Sequence, residues 1–246
     1  DADGTVAAPI SIIGPTNGAV ADFRGAAGMR DGFFLTNAAN VRIRGVTVRG
    51  YSNGIQVAGV STNNSFLGVT FASNDAFGGL FTGPNIDANR FEGCVFDGGT
   101  TTNQRIGLAI AGGDRNTVTN TRFVRHEREG LILSNSASSN RVVGCVMNSN
   151  TVSFSSAALK ILGATARGNL IGGNSFYGGP LQDTGILVSD STRNTLSNNL
   201  VAGHLQAGIV LVNAAASNTV IGNLVLSNSV AAVTPAIQIS GSAADG

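Results

Sequence analysis

The chain reads NRFEGCVF at residues 89–96 and NRVVGCVM at residues 140–147. A duplicated domain would write such a stretch twice, whereas a solenoid would write it on every coil. The wider pattern Asn-x-φ-x-Gly-φ-x-φ, with φ apolar, decides between them. It starts at Asn64, Asn89, Asn116, Asn140, Asn169, Asn194 and Asn218, and an earlier copy at Val41 lacks the Asn. Successive copies lie 23 to 29 residues apart. A second signature, small-φ-x-φ, recurs between them: GFFL at 32, GIQV at 54, GLFT at 79, GLAI at 107, GLIL at 130, ALKI at 158, GILV at 185, GIVL at 208 and AIQI at 236. Repetition at this period marks a solenoid.

The period inside each unit selects the kind of solenoid. Apolar residues alternate at i, i+2, the strand period, and no segment keeps a helical period. Gly, Asn and Ser punctuate every run, as turns require. The expected fold is all-β: a single-stranded parallel β-helix of about nine coils, forming one domain over residues 1–246 with coils from about 9 to 244. Neither DADGTVAAP nor GSAADG reads as a cap for strand edges, so the chain is expected to be a segment of a longer one.

Stacked coils predict columns. One inward column is Ile43, Phe66, Phe91, Val118, Val142, Ile171, Leu196 and Val220; another is Val48, Phe71, Phe96, Phe123, Met147, Phe176, Val201 and Val225. The Asn series is expected at bends, where Asn tolerates left-handed backbone and stacked amides can bond from coil to coil. Asn174, Asn199 and Asn223 form a second, shorter series, and Gly45, Gly68, Gly93, Gly144, Gly173 and Gly222 share another bend. Cys94 and Cys145 fall in one inward column two coils apart, about 10 Å, too far for a disulfide. They read as buried, reduced thiols, and no metal site is expected around them.

Charge narrows the partners. Lys and Arg number 15 against 14 Asp and Glu. A nearly neutral chain carries no footprint for nucleic acid or an anionic membrane. No apolar run is long enough for membrane insertion as a helix.

Nine coils with N-x-φ-x-G and G-I-x-V signatures make the chain resemble the right-handed parallel β-helix (pectin-lyase-like) superfamily over roughly residues 9–244. The resemblance implies a right-handed solenoid. That family includes polysaccharide lyases, uronate epimerases, glycoside hydrolases and phage tailspikes, most of which hold a long carbohydrate along the coil axis. The implied function is an extracellular polysaccharide-recognising β-helix, as a lyase, epimerase or glycoside hydrolase on the variable-loop face. The alternative is a non-catalytic structural or adhesion module such as a trimeric tailspike shaft. The implied location is extracellular, cell-surface or virion. The Asp-Pro-His and R-x-P-x-x-R motifs of that family are missing, and AGGDRN at 111 only echoes its calcium repeat. Fold alone does not carry chemistry, and no cofactor is expected.

The variable segments precede each small-φ-x-φ strand, and they hold Tyr51, Asp75, Asp97, Arg105, RHERE at 125–129, Tyr177 and Asp183. In a lyase or epimerase, His126 would take a proton beside a uronate carboxylate that Arg105, Arg125 or Arg128 neutralises. Asp97 with Glu127 or Glu129, and Asp75 with Asp97, are the carboxylate pairs that neighbouring coils offer. Tyr51 and Tyr177 could stack on sugars. The plainer reading makes RHERE a solvated loop whose charges pair with one another. In that reading His126 and His204 are polar turn residues at the register of Asn74, Asn150 and Asn228.

Apolar residues also recur at outward positions. Phe34, Phe81, Ile132, Leu187 and Val210 are expected on one face, Val95, Val146, Leu200 and Leu224 on a second, and Leu67, Val143 and Ile221 on a third. Such ladders imply covering loops or a partner, and a homotrimer is the expected assembly.

Overall fold

The computed structural model describes residues 4–5, 8–15, 20–26, 28–99, 104–150, 156–179, 181–229 and 234–241. Every regular element among them is a β-strand, and all pairings are parallel. Three sheets of nine strands each run the length of the molecule, and consecutive strands pass from one sheet to the next. A representative coil contributes Ser65–Leu67 to the first sheet, Thr70–Ala72 to the second and Phe77–Thr82 to the third. This is a right-handed parallel β-helix. Its nine rungs per sheet are joined by one fewer coil-to-coil step.

The two apolar columns form as the alternation requires. Phe66 pairs with Phe91, Val118, Val142 and Ile171 in turn, and Phe71 with Phe96, Phe123 and Met147. All of these side chains are buried. The Phe96 ring stacks between Phe71 and Phe123 at centroid distances of 5.0 and 4.9 Å. Cys94 and Cys145 are free and buried. The Thr121 rung lies between them: the Cys94 amide donates to Thr121 Oγ1, while the Cys145 amide donates onward to Asn174.

The Asn series is an internal ladder. The backbone N–H of Asn64, Asn89, Asn116, Asn140, Asn169 and Asn194 each donates to the Oδ1 of the next Asn, at 2.8–3.0 Å. Their side-chain amides donate to backbone carbonyls such as Ile86 and Ala137. The left-handed residue is not the ladder Asn, as expected from the sequence, but the one before it: Asn63, Ala88, Arg115, Ser139, Gly168, Arg193 and Ser217 all have φ between 55 and 66°. The ladder Asn needs its amide turned inward, so the reversal falls one position earlier. Asn174, Asn199 and Asn223 form the second ladder at 2.9–3.0 Å. At the bend between first and second sheets, Gly45, Gly68, Gly93, Gly144, Gly173 and Gly222 have positive φ, and Asn120 and Asn198 take the same role on two other coils.

One column is shifted from its expected register. Phe81 points inward, fully buried against Phe66 and Phe91. Leu80 takes the outward position, paired with Gln56 and Ala109. The equivalent signature is therefore GGLF from Gly78. Gly79 stands where other coils place a core side chain, and a Cβ there would lie 2.8 Å from Leu108 Cδ1. The large Phe81 ring fills the neighbouring core instead. Among the other outward apolar residues Phe34, Leu224 and Ile221 are exposed, whereas Ile132, Leu187, Val95, Val146, Leu200, Leu67 and Val143 are half-buried and Val210 is buried.

Candidate functional site

The bend between the second and third sheets carries the site residues expected from the sequence, together with a third buried ladder. It runs Asn74, Gln104, His126, Asn150, Gln182, His204, Asn228. The amide of Asn74 donates to Gln104 Oε1 at 3.3 Å, that of His126 to Asn150 Oδ1 at 3.4 Å, and that of Asn150 to Gln182 Oε1 at 3.1 Å. The amide of His204 donates to Asn228 Oδ1 at 3.0 Å. Gln104 Nε2 approaches His126 Nδ1 at 3.4 Å, and both imidazoles are fully buried. The register with Asn74, Asn150 and Asn228 thus turns both rings inward. His126 presents no ring atom to solvent, so a role as proton acceptor would require the bend to open.

Burial pushes both imidazoles down to about 4, against an ordinary 6.5, because each site rejects the charged form. The fold therefore stabilises neutral histidine. Stability should be complete above pH 6.5 and fall steadily as the pH drops toward about 4. Urea unfolding should give a lower midpoint at about pH 5 than at neutral pH. A His126→Asn/His204→Asn variant should flatten that dependence. An unchanged slope in the variant would contradict the inward placement.

The residues flanking this ladder form a belt of ion pairs around the bend. Asp97 lies outward at the end of Val95–Asp97 and is gripped by Arg125, whose Nε donates to Oδ1 at 3.1 Å. Arg105 and Glu127 lie on adjacent coils, with Nε and Oε2 3.9 Å apart. Glu129 is buried; its Oε1 meets Lys160 Nζ at 2.7 Å and accepts from the Ser156 hydroxyl, while Arg128 Nε approaches Oε2 at 3.7 Å. Burial pushes the Glu129 carboxyl up, but Lys160, Ser156 and Arg128 outweigh it and leave the pKa below the ordinary value. Tyr177 is exposed on the second sheet, paired with Asn148 and Ala202. A hollow on the same sheet, nearer Asp97, is lined by Asp97, Arg122, Arg125 and Asn148.

Asp97 has Ala72 and Val124 as rung neighbours. Glu127 and Glu129 follow Val124 by three and five residues, and Asp75 follows Ala72 by three, so none of the expected carboxylate partners shares the rung position of Asp97. Asp75 is exposed in the column that holds Arg105 and Glu127, and Tyr51 heads the ladder, half-buried against the core. Each of Asp97, Glu127 and Glu129 is matched by a cation. That arrangement holds and orients charge; it does not poise two carboxyls around one proton. Sequence reasoning missed Lys160 and Arg122. Arg122 is the first outward residue of its strand, which the alternation alone could have placed; Lys160 is outward on its strand too, but its pairing with Glu129 crosses a segment of variable length.

The family model for the periplasmic copper-binding protein NosD matches residues 16–180 and, in a shifted register, 76–240. The chain belongs to the NosD family. Two overlapping matches are what a repeat protein produces when its coils align in more than one register. No curated protein sequence matches this NosD-family chain. Its fold resembles the alginate lyase from Paenibacillus sp. str. FPU-7, at TM-score 0.77 and 15% identity over 98% of this chain and 85% of that one. It also resembles the Azotobacter vinelandii mannuronan C-5 epimerase AlgE6 A-module, at 0.66 and 14% over 88% of this chain and 57% of that one. The Streptococcus pneumoniae surface protein and adhesin PfbA scores 0.66 at 12% identity, over 86% and 63% of the two chains.

The family's description raises copper, and the NosD-family chain can be tested for it residue by residue. Copper takes converging thiolate, thioether or imidazole donors. Here the sulfurs and imidazoles do not converge. Burial raises both thiols to about 11, and Cys94 and Cys145 donate to the carbonyls of Phe66 and Val118 instead. His126 and His204 are three rungs apart in the ladder, Met147 is in the core, and Met29 is on the surface of an early coil. No three His, Cys, Asp or Glu residues come together among the described residues. The donor set does not fit a copper centre.

Proposed function

We propose that this chain is a polysaccharide-recognising β-helix of the periplasm or cell exterior, binding a glycan along the belt at the bend between second and third sheets. The observation that carries the reading is the belt itself. Asp97 with Arg125 and Arg105 with Glu127 offer fixed donors and acceptors on successive coils, and the exposed Tyr177 ring lies three rungs farther along the column of Asp97. Coils advance by about 4.8 Å, so such groups form a linear array suited to a linear polymer. The structures it resembles include proteins named as an alginate lyase, a mannuronan epimerase, a pectate lyase and an α-1,3-glucanase, and these support the same substrate class. The family's periplasmic description supports the location.

Because Asp97, Glu127 and Glu129 are each matched by a cation, recognition rather than bond cleavage is the expected activity. Affinity electrophoresis through alginate, polygalacturonate and a neutral glucan should retard the chain in at least one gel. Tyr177→Ala and Arg105→Ala should each weaken that binding by roughly 5- to 10-fold. Retardation by none would end the reading. Unsaturated, epimerised or shortened products that vanish in Asp97→Asn and Glu127→Gln would reassign the chain as an enzyme. The half-buried outward columns leave a trimeric shaft as the competing reading, which a trimer mass in light scattering combined with no glycan binding would favour.

A further inference from the structure

The first sheet carries a feature that the belt does not use. Its outward column reads, rung by rung, Ser11, Arg42, Ser65, Arg90, Thr117, Arg141, and ends in Leu170, Thr195 and Thr219. Over the first six rungs arginine occupies every second one, and a small hydroxyl residue separates each from the next. Adjacent rungs lie about 4.8 Å apart, so the guanidinium stems recur at about 10 Å. Arg42, Arg90 and Arg141 are all exposed. A surface hollow is lined by Arg42, Asn63, Ser65, Arg90, Arg115 and Thr117. Arg115 and Arg193 add charge from the left-handed turn that borders the column.

These cations are available to a ligand. Arg42 and Arg141 make no ion pair among the described residues. Arg90 pairs with Glu92 and Arg115 with Asp87 at 3.6 Å, but both arginines remain more than half exposed, at 52% and 67%. Exposed pairs of this kind contribute little and exchange readily for another carboxylate. A solvated sheet face with no partner has no reason to place arginine on alternate coils, since Ser and Thr serve the intervening rungs well.

We infer that the outer face of the first sheet is an anion-binding strip for an extended acidic polysaccharide, with Arg42, Arg90 and Arg141 each taking a uronate carboxylate from every second sugar. This rests on the polysaccharide reading for the class of polymer, but uses a different face. A 1,4-linked uronate chain in its two-fold ribbon form turns alternate carboxylates to one side, a repeat comparable to two coils. Guanidinium matches carboxylate with two parallel hydrogen bonds, and all the cations here are arginine. Nucleic acid fits poorly: its backbone charge recurs at about 3.4 Å per strand, and single strands need aromatic platforms. Among the described residues the two outward columns of this face contain no aromatic side chain.

The test compares polygalacturonate, alginate, a neutral glucan and single-stranded DNA by isothermal titration, with wild type, Arg42→Ser, Arg90→Ser, Arg141→Ser and the triple variant. Serine already occupies this column at Ser65, so folding should persist, and circular dichroism melts check it. Each single substitution should weaken uronan binding roughly fivefold, and the triple about a hundredfold, with a shallower salt dependence. Neutral-glucan binding at the belt should be unchanged. Uronan affinity retained by the triple variant overturns the strip while leaving the belt reading intact. DNA bound as tightly as uronan, and lost with it in the triple variant, overturns the specificity for acidic sugars. Failure of every glycan to bind sinks both proposals.

Discussion

Asn140→Ala is expected to destabilise the chain by roughly 2–3 kcal/mol, more than a buried side chain so small would suggest. Asn140 Oδ1 accepts from the Asn116 amide at 2.8 Å, and its Nδ2 donates to Gly113 O at 3.2 Å and to Asn169 Oδ1 at 3.1 Å. Alanine leaves the Asn116 N–H buried without a mate, which costs about 1–3 kcal/mol, and removes two further hydrogen bonds, although Gly113 O keeps the Ser138 N–H and Asn169 Oδ1 keeps the backbone N–H of residue 140. Urea unfolding followed by circular dichroism measures the loss. Asn148→Ala, eight residues on but exposed, should change stability by no more than about 0.5 kcal/mol. Similar values for the two variants would mean that the ladder does not bear on stability.

Phe96→Ala is expected to cost about 3–5 kcal/mol. Its ring is stacked on Phe123 with an interplanar angle of 3° and on Phe71 with one of 20°, while Phe91 meets it edge-on at 5.6 Å. Neighbouring coils are pinned by their own ladders, so the space cannot collapse and the cavity remains. Solenoid stability is close to a sum of nearest-neighbour terms. The loss should therefore fall on the coils around Phe96, and the unfolding transition should broaden as well as shift. A loss under about 1 kcal/mol would contradict the packing.

The fold was legible because every rung repeats the same constraints. Val118, Val142 and Ile171 share no identity with Phe91, yet all must be apolar to fill one column, and that survives divergence. Register slipped only at Gly79, where two successive glycines remove the size contrast that fixes which residue faces inward. The site was harder. His126 and His204 align with Asn74 and Asn150 by position, but their burial depends on Gln104 and Gln182, which follow their ladder predecessors by 30 and 32 residues. Those longer steps hide the repeat. The partner of Glu129 is Lys160 on the next coil, across a bend of variable length, so no fixed spacing announces it. The arginine column shows the reverse: each member is an ordinary exposed residue, and meaning arises only from the register between coils.

That register is the claim on which the ladder, the belt and the arginine strip all depend, and engineered disulfides read it directly. In a Cys94→Ala/Cys145→Ala background, Ser65→Cys with Arg90→Cys places two thiols on facing rungs of adjacent parallel strands. Their separation of about 4.8 Å lies within disulfide reach, whereas Ser65→Cys with Thr117→Cys spans two rungs and does not. Oxidation should cross-link the first pair rapidly and completely and leave the second as free thiols by mass spectrometry. Equal cross-linking of both pairs, or of neither, would contradict the stacked-coil account.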